Sequence, residues 1–212
     1  MFEKRKLKRT QYNAHKIRMR DDFSHHCSVA AKDGQVVFFG DSITELLNVS
    51  DWYGEYSLRS GLEVYNRGIG GDTTLGLYKR ATENVICIKP KAVVILIGTN
   101  DIGIGFDTEF LNTNMEKILQ LFRKECPDCK VILQAIYPVI EGRAGKRKNK
   151  IILEANRKYK ALCEKYGATY VDLTDNLIDE KGNLKAEYTY DGLHLSAKGY
   201  EVTTKEIAKF LP

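Results

Sequence analysis

A serine hydroxyl is a poor nucleophile until a base takes its proton, and the usual base is a histidine oriented by a carboxylate. Ser42 follows an apolar run in VVFFGDSITE, and His194 is the one histidine outside the N-terminal segment that carries His15, His25 and His26. Asp191 stands three residues before His194 in the turn-forming sequence DGLH. From there its carboxylate can hold one ring nitrogen while the other faces Ser42. Acyl transfer also needs donors aimed at the developing oxyanion. A backbone amide of the Gly70-Gly71 turn, the Asn100 side-chain amide and the Ser42 amide itself are candidates. Each feature has a plainer reading. Asp and Ser cap helices wherever a strand hands over to one, Asp191 and His194 can open a helix in the same way, and Gly68, Gly70 and Gly71 can form a turn or cradle a phosphate.

These residues can act together only if the fold gathers them. Apolar runs bounded by turn residues occur at 35–39, 62–65, 92–97, 130–136 and 168–173. Between them lie segments with helical spacing. In 108–125, Leu111, Met115, Ile118, Leu119 and Phe122 make one face, Asp107 or Thr108 can cap the start and Pro127 stops the helix. In 150–166, Ile151, Ala155, Tyr159 and Leu162 do likewise, and the last helix starts near Ser196. Strands apolar throughout, each separated by a helix, predict a parallel sheet covered on both faces, a three-layer α/β/α sandwich. Ligands of such sheets bind at the carboxyl ends of the strands. Gly40-Asp41-Ser42, Asn66 to Thr73, Gly98 to Asp101 and Asp191 to His194 all fall where that edge should be.

With 212 residues, 43% of them hydrophobic and only four prolines, the chain suits a single domain spanning 1–212. No apolar run reaches the roughly 18 residues of a membrane helix, and the N-terminus is charged where a signal peptide needs an apolar stretch. Five cysteines, an odd number at 27, 87, 126, 129 and 163, fit a reducing cytoplasm better than a secreted disulfide framework. Cys126-Pro127-Asp128-Cys129 has no second such pair, and His25-His26-Cys27 lacks partners at ligand spacing, so no metal or other cofactor is expected and the histidines should face solvent. Of the net charge of +5, residues 1–20 carry eight cations against Glu3 alone, a local +7 that leaves −2 elsewhere. Residues 1–30 therefore read as a basic, solvated, helix-prone extension, and the run Arg143 to Lys150 as a solvated loop entering a helix. In the extension Leu7, Tyr12, Ile17, Met19 and Phe23 share no clean period.

The four blocks, in order and at suitable intervals, resemble the signatures of the SGNH, or GDSL-type, esterase and lipase family. The resemblance runs from about residue 35 to the C-terminus. It is greatest to the branch of platelet-activating-factor acetylhydrolase-like and carbohydrate acetylesterase-like proteins. It implies that Ser42 is the nucleophile, His194 the general base and Asp191 its orienting carboxylate, with Ser42, Gly71 and Asn100 forming the oxyanion hole. A flavodoxin-like sheet of about five parallel strands is implied too, and the expected substrate is a short-chain ester of a small molecule, acetyl foremost. Ile43 departs conservatively from the leucine of the first block. No Gly-x-Ser-x-Gly elbow of the ordinary α/β-hydrolases occurs. The competing reading is a non-enzymatic α/β module that holds a nucleotide or RNA through its glycine-rich turns and basic arm. Against it, the chain has neither a Gly-x-x-x-x-Gly-Lys-Ser/Thr loop nor a dinucleotide fingerprint. No nucleic-acid or membrane partner is expected on the esterase reading, and pairing as a homodimer is open.

Overall fold

Two interior strands, Val36–Gly40 and Ala92–Leu96, alternate their side chains between two buried faces, which is why their apolar runs are continuous. Val36 and Phe38 enter one core and Val37 and Phe39 the other, and Ala92, Val94 and Leu96 divide from Val93 and Ile95 in the same way. The computed structural model describes residues 2–212, apart from the side chains of 2–10 and 12. In chain order the elements are α1 (Phe2–Val29), β1 (Val36–Gly40), α2 (Ser42–Glu45), α3 (Val49–Ser60), β2 (Val64–Gly68), α4 (Thr74–Asn84), β3 (Ala92–Leu96), α5 (Thr99–Ile104), α6 (Thr108–Glu125), β4 (Lys130–Gln134), α7 (Asn149–Tyr166), β5 (Thr169–Val171), α8 (Thr174–Leu177) and α9 (Ala197–Ala208). Short 3-10 turns occur at Ile86–Ile88 and Ala186–Tyr188.

The five strands are all parallel, in the order β2-β1-β3-β4-β5. Helices α4, α6 and α7 contribute to one core, and α3 and α9 to the other, giving the expected three layers. The five strands fall on the five apolar runs, within two residues at their starts. Helix α6 spans 108–125, and its cap is Asp107, whose side chain accepts from the Phe110 amide. Ser196 caps α9 by accepting from the Gly199 amide.

The N-terminal extension is the main departure from expectation. It is helical, but one side of it is not solvated. His15, Lys16, Met19, Arg20, Phe23, Ser24, His26 and Cys27 are half-buried, at helical spacing, while Ile17 is 60% exposed. Helix α1 packs along α4 and over the edge strand β2. The Arg67 guanidinium donates to His26 Nδ1 (2.8 Å) and lies 4.8 Å from the Phe23 ring centre. His26 therefore does not face open solvent, and its pKa is lowered by burial and then by the Arg67 charge. An apolar period was absent because this helix docks through polar side chains. Leu7 and Tyr12, and the cations at 4, 5, 6, 8 and 9, lie outside the described side chains.

Gly40 and Gly68 are register partners at the ends of β1 and β2, and α2 lies directly over them. A Cβ on Gly68 would sit 2.1 Å from the Glu45 amide nitrogen, and one on Gly40 2.2 Å from Thr44 Oγ1 and 2.4 Å from the Leu96 carbonyl oxygen. Gly40 is needed for this close approach, since its backbone is not left-handed. Gly68→Ala is therefore expected to destabilise the protein by about 1–3 kcal/mol, the usual cost of overpacking. Urea unfolding checks this, and a variant as stable as wild type would mean that α2 floats free of β2.

Candidate active site

Strand order puts the end of β1 beside the end of β3, and the chain leaves these two strands in opposite directions to build the two halves of the sheet. That divergence is the crevice in which doubly wound sheets bind ligands. Ser42 stands just past β1 and Asn100 just past β3.

Ser42 is the first residue of α2, where an amide has no intrahelical acceptor. Helix α2 is only four residues long and is held by its neighbours. The Asp41 side chain accepts from the Ile43 amide (3.0 Å), Asn66 Nδ2 donates to the carbonyls of Thr44 and Leu47 (2.7 Å each), and the Tyr200 hydroxyl donates to the Ile43 carbonyl (2.7 Å). Asn66 thus serves the site by clamping α2. The Ser42 hydroxyl lies 2.8 Å from His194 Nε2, and His194 Nδ1 lies 2.7 Å from Asp191 Oδ2. Asp191 Oδ1 accepts from the amides of His194 and Leu193 (2.8 and 2.9 Å). Burial pushes the Asp191 carboxyl up, but the His194 ring and these two amides outweigh it and bring its pKa to about 2. The carboxylate is ionised at any ordinary working pH. Its loop is braced as well. Thr189 Oγ1 donates to the His194 carbonyl (2.7 Å) and accepts from the Gly192 amide (2.9 Å), while the Gly192 carbonyl accepts from the Ile140 amide (2.8 Å).

Facing Ser42 is the turn Ile69 to Asp72, closed by the Asp72 amide to the Ile69 carbonyl (3.0 Å) with Gly71 left-handed at φ +62°. A side chain would be strained there. Residue types alone left Gly70 and Gly71 as alternative donors, the resemblance named Gly71, and in the structure the two amides differ. The Gly70 amide donates to Glu45 Oε2, whereas among the described residues nothing accepts from the Gly71 amide. Asn100 Nδ2 donates one hydrogen to the Asp72 carbonyl (3.0 Å), leaving its second for a ligand. Arg147 Nη2 donates to Asn100 Oδ1 (3.0 Å), which fixes which way the amide points. Arg147 was read as part of a solvated run, yet its guanidinium turns inward to Asn100, the Thr99 carbonyl (2.9 Å) and the Ala144 carbonyl (3.1 Å). Nothing in RAGKRKNK distinguishes this arginine from its neighbours, because the partners that turn it to the site, Thr99 and Asn100, come from α5, far away in sequence.

With these distances, a proton can pass from a serine to a histidine whose developing charge faces a carboxylate, beside free amides that suit an oxyanion. The GDSL-like lipase/acylhydrolase family model matches residues 38–202. The chain belongs to the GDSL-like lipase/acylhydrolase family. It is 31% identical over 192 residues to platelet-activating factor acetylhydrolase IB subunit alpha1 of Bos taurus and of Homo sapiens, covering 88% of this chain and 80% of each relative. A solved structure from Streptococcus pneumonia, provisionally described as a platelet activating factor, superposes with a TM-score of 0.92 at 28% identity over the whole of both chains. The lipase/acylhydrolase from Enterococcus faecalis does so at 0.72 and 27%, covering 84% of this chain and 94% of its own. This GDSL-type chain is accordingly a carboxylic ester hydrolase, which replaces the non-enzymatic alternative. Among the described residues no cluster of three or more metal-ligating side chains occurs, and no helix is long and apolar enough to cross a membrane.

Asp41, next to the serine, is 1% exposed and has one oxygen without a partner. Its pKa is pushed up to about 7, chiefly by burial, with the Asp72 and Asp101 charges adding and the Ile43 amide and Arg147 opposing. An ordinary unfolded aspartate titrates near 3.9. Between about pH 4 and pH 7 the folded protein thus retains a proton that the unfolded chain has lost, so the Asp41 contribution to stability falls as pH rises through that window and stays low above it. Asp41→Asn should remove this component, so that thermal unfolding at pH 4.5 and at pH 8 favours the variant progressively at the higher pH. An identical pH slope in both proteins would mean that Asp41 is ionised in the fold.

Proposed function

We propose that this chain is a serine esterase that removes short acyl groups, acetyl foremost, from small esters through an acyl-serine intermediate. The observation that carries the proposal is the unbroken chain from Ser42 through His194 to Asp191, at 2.8 and 2.7 Å. His194 Nε2 takes the Ser42 proton as the Ser42 oxygen attacks the ester carbonyl carbon. The resulting oxyanion accepts from the amides of Ser42 and Gly71 and from Asn100 Nδ2. When the carbon–oxygen bond to the alcohol breaks, His194 returns the proton to the departing alkoxide. A water then attacks the acyl-serine, gives its proton to His194 and releases the acid, and the proton goes back to Ser42. Asp191 remains ionised and stabilises the imidazolium in both halves. The acetylhydrolase relatives support a short acyl group. A cytoplasmic setting belongs to the same proposal, supported by five cysteines that are all free, Cys87 exposed among them. The expected partner is a small-molecule ester rather than a nucleic acid, and two copies pairing as a homodimer is compatible with this chemistry.

With p-nitrophenyl acetate as substrate, Ser42→Ala should abolish turnover and Asn100→Ala should lower kcat by roughly 10² to 10³ with little change in KM, the cost of one oxyanion donor. Turnover by Ser42→Ala within tenfold of wild type would overturn the nucleophile assignment. A rise in KM alone for Asn100→Ala would make that residue a ground-state binding group.

A further inference from the structure

The family model begins at residue 38, so α1 lies outside the part of the chain that carries the family pattern. Its half-buried side nevertheless reaches the turn opposite Ser42. Lys16 Nζ donates to the Gly71 carbonyl at 2.7 Å and stands 3.9 Å from Asp72 Oδ1, and Arg20 Nη2 is 3.8 Å from the same carboxylate oxygen. One turn edge away, His15 Nε2 lies 2.7 Å from Glu45 Oε1, and the other oxygen of Glu45 accepts from the Gly70 amide.

These contacts bracket one peptide group. The Gly70 amide belongs to the peptide before Gly70, and the Gly71 carbonyl to the peptide after Gly71. Helix α1 holds the first through Glu45 and the second directly. Between them lies the Gly70–Gly71 peptide, whose N–H has no acceptor among the described residues. Two adjacent glycines have the least intrinsic preference for any one orientation of that peptide. The bond that closes the turn, from the Asp72 amide to the Ile69 carbonyl, is compatible with either flip of this central peptide, so contacts from outside the turn can select one of them.

We infer that α1 is part of the catalytic apparatus, with Lys16 a positioning residue that sets the direction of the Gly71 amide through the Gly71 carbonyl. The inference rests on the oxyanion reading given above and deepens it. Helix α1 docks chiefly through charged and polar groups, which is a poor way to gain stability by burial alone. Lys16 keeps only 19% of its side chain exposed, and burial lowers its pKa ahead of the opposing pull of Asp72. Desolvating an ammonium at this position is unfavourable, and its hydrogen bond runs to the backbone of the turn.

The test compares Lys16→Met, which keeps the apolar stem, with Lys16→Arg, which restores a donor, and with Arg18→Met, which removes an exposed charge from the same helix. Hydrolysis of p-nitrophenyl acetate is measured beside inhibition by a trifluoromethyl ketone that forms a tetrahedral adduct with the serine. The endpoint of fluorophosphonate titration counts competent sites. Lys16→Met is expected to lower kcat about tenfold, less than loss of a direct donor, with KM within twofold and the titration endpoint unchanged. Its ketone inhibition constant should rise by the same factor as kcat/KM falls, because both report tetrahedral binding. Lys16→Arg should recover most of the rate and Arg18→Met should match wild type. Wild-type kcat in Lys16→Met, an endpoint that falls in step with the rate, or an equal loss in Arg18→Met would overturn the inference, while a large loss in Asn100→Ala would leave the oxyanion reading standing. Full activity in both Ser42→Ala and Asn100→Ala would overturn that reading itself.

Discussion

The site depends on one buried ion pair. Arg80, on α4, is 2% exposed and donates through Nε to Asp72 Oδ2 at 2.7 Å and through Nη2 to the Gly40 carbonyl at 3.0 Å, with its guanidinium 4.5 Å from the Phe39 ring centre. Burial lowers its pKa to about 10, against the opposing effect of Asp72, so it is still charged at neutral pH. The pair therefore joins the last residue of β1 to the end of the glycine turn. The Asp72 carbonyl in turn accepts from Asn100, which brings the end of β3 into the same cluster. Breaking such a pair from one side typically costs about 3–5 kcal/mol, because a charge is left buried without its partner. Here it would also release the three loops that present Ser42, Gly71 and Asn100.

Around this pair, charge is arranged with one carboxylate at the centre. Asp72 faces Arg80 from inside the fold and Lys16 and Arg20 from α1. Two further carboxyls, Asp41 and Asp101, are buried close by, and their proton affinities are raised first by burial and then by the Asp72 charge, with the Asp101 charge adding at Asp41. Asp101 is tied to the amide and hydroxyl of Thr74 at the start of α4. Each acidic residue near the serine thus has a structural duty, apart from Asp191, which lies on the more exposed side and addresses the histidine. Separating buried structural carboxyls from an accessible one beside the base leaves a single ionised partner for the imidazole.

The three-layer architecture and the candidate site were largely legible in the sequence, for a physical reason. Strands buried on both faces must be apolar at every residue, so the runs at 35–39 and 92–97 announce a parallel sheet without any alignment. Parallel strands also share one carboxyl edge, which makes polar residues directly after a strand, such as Ser42 and Asn100, neighbours in space. What was not legible were groups that act through distant partners. Glu45 carries no signal beyond a short helix, yet it takes the Gly70 amide and so leaves Gly71 as the open donor.

By itself the sequence determined the fold class, where α6 and α9 begin, and the set of residues that can carry acyl-transfer chemistry, because each follows from local periodicity, local hydrogen bonding or side-chain type. Only the tertiary structure decided which glycine amide stays open, that Arg147 turns inward to orient Asn100, and that the basic N-terminal segment is a docked helix. A docked helix normally betrays itself by an apolar stripe, but α1 is held by Lys16, Arg20, Ser24 and His26 against partners some 40 to 65 positions away, such as Gly71, Asn84 and Arg67. A polar side chain has the same identity whether it meets water or a buried carbonyl, so the difference exists only once the chain is folded.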